Sequence, residues 1–137
     1  MDILRHRVNV LINKAYYSTK RYKTFASFVY IYHEKEISNE TLGSFMRLTD
    51  NFVQVDQNHV FVNFTFTEQS NVFKAAQNLL FKLDNYFQDT TSCAAMDTYD
   101  INKSADIVFR RLQQILEETK QNSFNRIEDE EILNSQF

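Results

Sequence analysis

His6, His33, His59 and Cys93 are the side chains here that could ligate a soft metal. A structural zinc site draws such donors from short, paired spacings. These four lie far apart and on different prospective elements, so the spacing predicts surface or hydrogen-bonded histidines. Cys93 falls within Ser92-Cys93-Ala94-Ala95-Met96, a run of small residues, and reads as a buried thiol rather than a nucleophile. Asp97 and Asp100 could form a carboxylate pair, yet their place after that run reads as turn and helix-cap chemistry. The run Glu128-Asp129-Glu130-Glu131 could attract a metal or a basic partner, and is expected to be a solvated end. At the other end, Arg5, Arg7, Lys14, Lys20, Arg21 and Lys23 face the single acid Asp2, with Tyr16, Tyr17 and Tyr22 among them. Such a segment can stack on RNA or meet an acidic protein face. An ordinary charged helix surface is the more common explanation, and attraction to the acidic tail would also account for the asymmetry.

The glycine count excludes more than any motif suggests. Gly43 is the sole glycine and there is no proline. Loops that cradle phosphate need glycine so that backbone N–H groups approach the ligand and adopt positive φ. A P-loop and a dinucleotide fingerprint are therefore excluded. With net charge −3 the chain has no overall basic footprint, and nucleic acid is not the expected partner. The single cysteine rules out an internal disulfide and points to a reducing, cytoplasmic setting. No apolar run reaches the ~18 residues of a membrane span, and the N-terminus lacks the pattern of a signal peptide. A membrane location is not expected.

The positioning elements follow from periodicity. At 137 residues and 43% apolar content, with 13 Phe and 7 Tyr, the chain suits one domain with a ring-rich core. Leu4, Val8, Leu11, Ile12 and Ala15 make a helical stripe over 3–20. Residues 25–32 are aromatic and β-branched on both faces, the pattern of a central strand. Ser38 is the expected N-cap of a helix over 39–49. Strands at 52–55 and 60–66 flank the turn Asp56-Gln57-Asn58-His59, with Val60, Val62, Phe64 and Phe66 on one face and Asn63 and Thr65 on the other. Val72, Ala76, Leu79, Leu80, Leu83 and Phe87 define a helix over 70–87. A short strand at 92–96 precedes a helix over about 103–121, capped by Asp100 or Asn102. Its stripe is Ala105, Val108, Leu112, Ile115 and Leu116. Asn125-Arg126-Ile127 is a candidate edge strand. The expected fold is α/β (α+β), a ferredoxin-like mixed sheet of the nucleotide-cyclase palm type covered by helices. It places one domain over 1–127 and an acidic tail over 128–137.

Several local strings, in this order, resemble a GGDEF (diguanylate cyclase) domain over nearly the whole chain. Arg7-Val8-Asn9 through Ser27-Phe28-Val29 resembles the family's opening "NR" helix and first strand. Tyr30-Ile31-Tyr32-His33-Glu34-Lys35 stands where that family has D-x-D-x-F-K. Gln57-Asn58-His59-Val60-Phe61 occupies the place of GGDEF itself. Ser104-Ala105-Asp106 through Thr119-Lys120 to Asn125-Arg126-Ile127 is similar to the closing segment, with Thr119 for its alanine and Ser123 for its glycine.

The resemblance implies a dismantled active site. Condensing two GTP molecules requires carboxylate-held divalent metal, and magnesium demands hard oxygen donors in octahedral array. Tyr30 and Tyr32 replace the strand's acids, and a phenol keeps its proton to about pH 10. His59 and Val60 replace the turn's Asp/Glu pair, and Gln57 and Asn58 its glycines. Phe124 stands for a phosphate-binding arginine. The segment after Lys35 is shorter than in the family, and Ser38 lies nearest its guanine-reading asparagine. Lys35 and Lys120 match phosphate-contacting lysines. Arg47-Leu48-Thr49-Asp50 has the R-x-x-D pattern of the family's inhibitory cyclic di-GMP site. A solvent-exposed charge pair explains that string as simply. The expected function is a catalytically inactive regulatory or protein-interaction domain, without cofactor, its partner a cytoplasmic protein or a second copy. The alternative is a non-catalytic receptor for GTP or cyclic di-GMP.

Overall fold

Apolar residues on both faces of 26–32 and 59–65 demand that these strands be covered from two sides. In the structure, a computed structural model describing residues 2–22, 26–46, 51–65, 69–98, 104–122, 126–129 and 131–134, they are. The elements run α1 (Asp2–Tyr22), β1 (Ala26–Tyr32), α2 (Asn39–Phe45), β2 (Asn51–Gln54), β3 (His59–Thr65), α3 (Gln69–Phe87), β4 (Cys93–Thr98), α4 (Ala105–Asn122), β5 (Ile127–Glu128) and α5 (Glu131–Asn134). The sheet order is β2-β3-β1-β4-β5. The first four strands pair antiparallel, and β5 adds parallel to β4. The unit from β1 to β4 is thus the expected ferredoxin-like βαββαβ arrangement.

Two layers of apolar side chains follow from the alternation of strand residues. Phe28, Tyr30, Phe61, Cys93 and Ala95 meet Val8 and Ile12 of α1 and Val108, Phe109 and Leu112 of α4. On the opposite face Val29, Ile31, Val60, Val62, Ala94 and Met96 meet Leu42 of α2 and Val72, Leu79 and Leu83 of α3. Of the helical stripes predicted for α1, α3 and α4, Val8, Ile12, Ala15, Val72, Ala76, Leu79, Leu80, Leu83, Ala105, Val108, Leu112, Ile115 and Leu116 are buried. Leu11 and Phe87 are partly so, and Phe109 joins the last stripe; the Leu4 side chain lies outside the described residues. Among the described residues no helix is long and apolar enough to cross a membrane.

Several local expectations are corrected. Asn63, assigned to a polar strand face, is buried, because β3 is an interior strand with helices on both sides. Phe66 lies outside the described residues. The helix after Ser38 ends at Phe45 rather than 49; Ser38 does cap it, its Oγ accepting from Thr41 N–H at 3.1 Å. Ser104 caps α4, accepting from Ile107 N–H at 3.3 Å through Oγ, while its carbonyl accepts from Val108 N–H at 3.0 Å. Asp100 and Asn102 lie outside the described residues. Asp97 belongs to β4 instead of the turn after it, and pairs beneath the helix layer with Arg111 Nε at 3.5 Å. Beyond residue 127 the chain continues the fold: Glu128 is in β5, and Ile132 of α5 is buried against the α1/α4 layer.

Candidate functional site

The β2–β3 turn is built without glycine. Its backbone closes through Val55 N–H to the His59 carbonyl at 2.9 Å, and Asp56 Oδ1 accepts from Asn58 N–H at 2.8 Å, an Asx turn. None of its residues takes a positive φ; among the described non-glycine residues only Gln88 does. Asn58 then spans to the end of β1, its Nδ2 donating to the carbonyls of His33 at 3.0 Å and Glu34 at 2.9 Å. The Asn58 amide therefore ties the turn to the strand.

His59, Tyr30 and Tyr32 converge beside this turn because β1 and β3 are in register, with Tyr32 opposite His59 and Tyr30 opposite Phe61. The His59 ring stacks on Tyr30 at 5.4 Å and lies 5.3 Å from Tyr32, tilted. Its Nδ1 is 2.8 Å from Asp56 Oδ1, and its Nε2 is 3.1 Å from Lys120 Nζ, which reaches over from α4. An ammonium only donates, so Nε2 accepts and Nδ1–H donates to the carboxylate. Lys120 also stands 4.0 Å above the Tyr32 ring and 3.2 Å from Glu117. Burial raises the pKa of Tyr30, with the Asp56 charge adding to it and a hydrogen bond to Gln113 opposing. Burial also pushes Asp56 upward, yet its hydrogen bonds from His59 and Asn58 leave its carboxyl below the ordinary value.

Lys35 is carried elsewhere. Its Nζ is 3.3 Å from Asp89 Oδ2 and donates to the Phe87 carbonyl at 3.3 Å, at the end of α3. His33, fully buried, completes that cluster: Nδ1 accepts from Lys35 N–H at 2.9 Å and Nε2 meets Asp89 at 2.8 Å, with the ring stacked 4.1 Å from Phe87. Burial opposes ionisation of Asp89, but the hydrogen bonds from His33, Thr91 and Lys35 bring its carboxyl down to about 2. The two family-like lysines thus make separate contacts. Val60 and Phe61 are buried in the two core layers. Arg47, Asp50 and Phe124 lie outside the described residues. Cys93 is buried as expected, its thiol pushed up to about 11 by that burial.

A polar cleft of about 570 Å³ opens on the other side of the turn, lined by Arg7, Glu36, Asn39, Gln54, Asp56 and Gln57 among others. Glu36, Asn39 and Gln54 were not singled out as site residues from sequence, and Arg7 entered only as part of the basic N-terminal segment and the opening helix. They come from three separate segments, α1, the β1–α2 stretch and β2, and only tertiary structure gathers them. The proximity of Asn39 to the Ser38 position was the one available signal.

The β1–turn–α4 corner does not fit a magnesium ion. Its oxygens include two phenols, one of them pushed further toward its protonated form. Its carboxylates, Asp56 and Glu117, are engaged by His59 and Lys120, and the ammonium places a positive charge in the corner itself. Among the described residues no group of three His, Cys, Asp or Glu is placed to share an ion.

Two solved structures share this fold. The GGDEF domain of DgcB from Caulobacter crescentus, in complex with c-di-GMP, superposes with a TM-score of 0.72 at 11% identity, over 93% of this chain and 90% of that one. The active GGEEF domain of a diguanylate cyclase from Vibrio cholerae superposes with a TM-score of 0.69 at 17% identity, over 90% and 94%. No family model matches the sequence, and no curated protein matches it either. At such identities the likeness is one of architecture: the chain adopts a GGDEF-like, cyclase-palm fold.

Proposed function

We propose that this chain is a GGDEF-fold domain without cyclase activity, acting as a regulatory or protein-interaction module. The observation that carries this reading is the corner where β1 meets the turn. There Tyr30, Tyr32, His59 and Lys120 form a stacked, hydrogen-bonded plug in place of converging acids. Phosphoryl-type transfer on GTP depends on electrostatic clamping by metal and cations, and this donor set offers no such clamp. An intact double-layered core beside that corner supports retention of shape for binding. The module's partner is a cytoplasmic protein or a second copy of itself.

The test is twofold. Purified protein with Mg²⁺ and GTP is expected to form no dinucleotide, and detectable synthesis would overturn the reading. Affinity capture from native extract is expected to recover a stoichiometric partner, or sedimentation a self-associated species. A strictly monomeric protein with no partner would count against interaction as its role.

One observation favours a second reading, a receptor that binds GTP or c-di-GMP without turnover. The cleft lined by Arg7, Glu36, Asn39, Gln54 and Gln57 offers a guanidinium, a carboxylate and amides of the kind that read a guanine edge and a phosphate. Calorimetry with each nucleotide separates the two readings, since absence of heat at high-micromolar ligand removes the receptor.

A further inference from the structure

The outer flank of α3 is apolar where solvent should be met. Phe73 and Phe81 lie two turns apart on one stripe and are 40% and 64% exposed. With Gln77, Leu80 and Ile127 they line a groove of about 300 Å³ between α3 and β5, closed at one end by the Asp84–Arg126 ion pair. Beside the groove runs the edge of the sheet, for β5 is its last strand. Arg126 C=O accepts from Ala94 N–H at 2.8 Å, and Ile127 pairs with Ala94. In a parallel ladder of that phase the N–H and C=O of Ile127 point away from β4. They have no partner among the described residues.

We propose that this groove binds an extended apolar segment of another protein, flanked by basic residues, as a strand added to β5. The free edge supplies main-chain hydrogen bonds, and Phe73, Leu80 and Phe81 receive alternate side chains from the incoming strand. Charge decides which occupant fits. Ile127 is followed by four consecutive acids, Glu128 to Glu131, while Arg126 is already held by Asp84. A second copy pairing edge to edge would bring two such runs together, and like charges at a sheet edge oppose self-pairing. A segment carrying Lys or Arg beyond its apolar core neutralises them instead. This assignment deepens the protein-interaction reading and rests on it.

The probe is a set of short labelled peptides, Lys-Lys-Thr-Phe-Thr-Val-Thr-Phe-Lys-Lys and variants with Leu, Ile or Val at the apolar positions, followed by fluorescence anisotropy against the whole chain. At least one basic-flanked member is expected to bind. Its glutamate-flanked counterpart and the Phe81→Asp protein should each weaken binding by about tenfold or more. Ile107→Asp, at an exposed apolar position on α4, should leave affinity unchanged. Amide shifts in the unmutated protein should centre on Phe81 and Ile127, which keeps the test independent of any variant's folding. Binding by no member, equal binding of glutamate-flanked peptides, shifts centred elsewhere, or a dimer abolished by Phe81→Asp would each overturn the assignment. Failure confined to these peptide measurements defeats this site alone; failure to find any partner or self-association in solution defeats the wider reading.

Discussion

His59 owes its protonation pattern to neighbours from two different elements. Asp56 accepts from Nδ1–H at 2.8 Å, and Lys120 donates to Nε2 at 3.1 Å, so the neutral Nδ1–H tautomer satisfies both at once. Long-range nitrogen–proton correlation spectra should therefore show Nδ1 protonated and Nε2 acting as an acceptor. Lys120→Met should remove that preference, and an Nε2–H tautomer in the unmutated protein would contradict the geometry. Asp89 offers a second test at this scale. Its folded pKa of about 2 lies below the ~4 of an unfolded aspartate, so the unfolded chain binds more protons between those values. The stabilisation it confers is fully present above pH ~4 and is lost as pH falls toward 2. Asp89→Asn should lower the urea midpoint near neutrality and flatten its dependence on pH across that interval; an unchanged slope would show that the His33–Asp89–Lys35 cluster does not act through ionisation.

Among elements, the tight β2–β3 turn is closed without glycine. Asp56 and Asn58 supply side-chain hydrogen bonds that hold ordinary backbone conformations in place. The position that does call for glycine is Gln88, at φ 58° just past the end of α3. A side chain there is strained by about 1 kcal/mol relative to glycine. Gln88→Gly should raise stability by about 0.5–1 kcal/mol in chemical denaturation, less what is lost with the Gln88–Asn85 hydrogen bond. Periodicity made α1, α3 and α4 legible from sequence, since Val8, Val72 and Val108 each lie in a buried stripe. The resemblance to the GGDEF family, rather than periodicity, set Tyr30 and Tyr32 where that family has acids. Sequence pattern could not reveal that Asp97 would face Arg111 or that Arg7 and Gln54 would share a cleft. Those outcomes depend on contacts between distant segments, for which one sequence carries no local signal.

At the scale of the molecule, the sheet separates two apolar layers, and a charged clip helps to hold its fifth strand. Arg126 donates to both Asp84 oxygens, at 2.7 and 2.6 Å, and its Nε donates to the Ser92 carbonyl at 2.7 Å. That one side chain therefore links β5 to α3 and to the start of β4, while β5 itself contributes only two ladder residues. A bidentate carboxylate–guanidinium pair that is partly shielded from water loses more when one partner is removed than an exposed pair does. Asp84→Ala should lower stability by about 2 kcal/mol, because Arg126 is then left facing an apolar groove without its counter-charge. The loss should be uneven. The amide of Ala94, which donates to the Arg126 carbonyl, should lose hydrogen-exchange protection more than those of Val29 and Val62 in the sheet interior. Uniform loss of protection would mean that β5 and α5 unfold only with the whole domain. Selective loss would mean that the edge proposed to receive a partner strand is positioned by Arg126, and that its readiness to bind can be changed without disturbing either core.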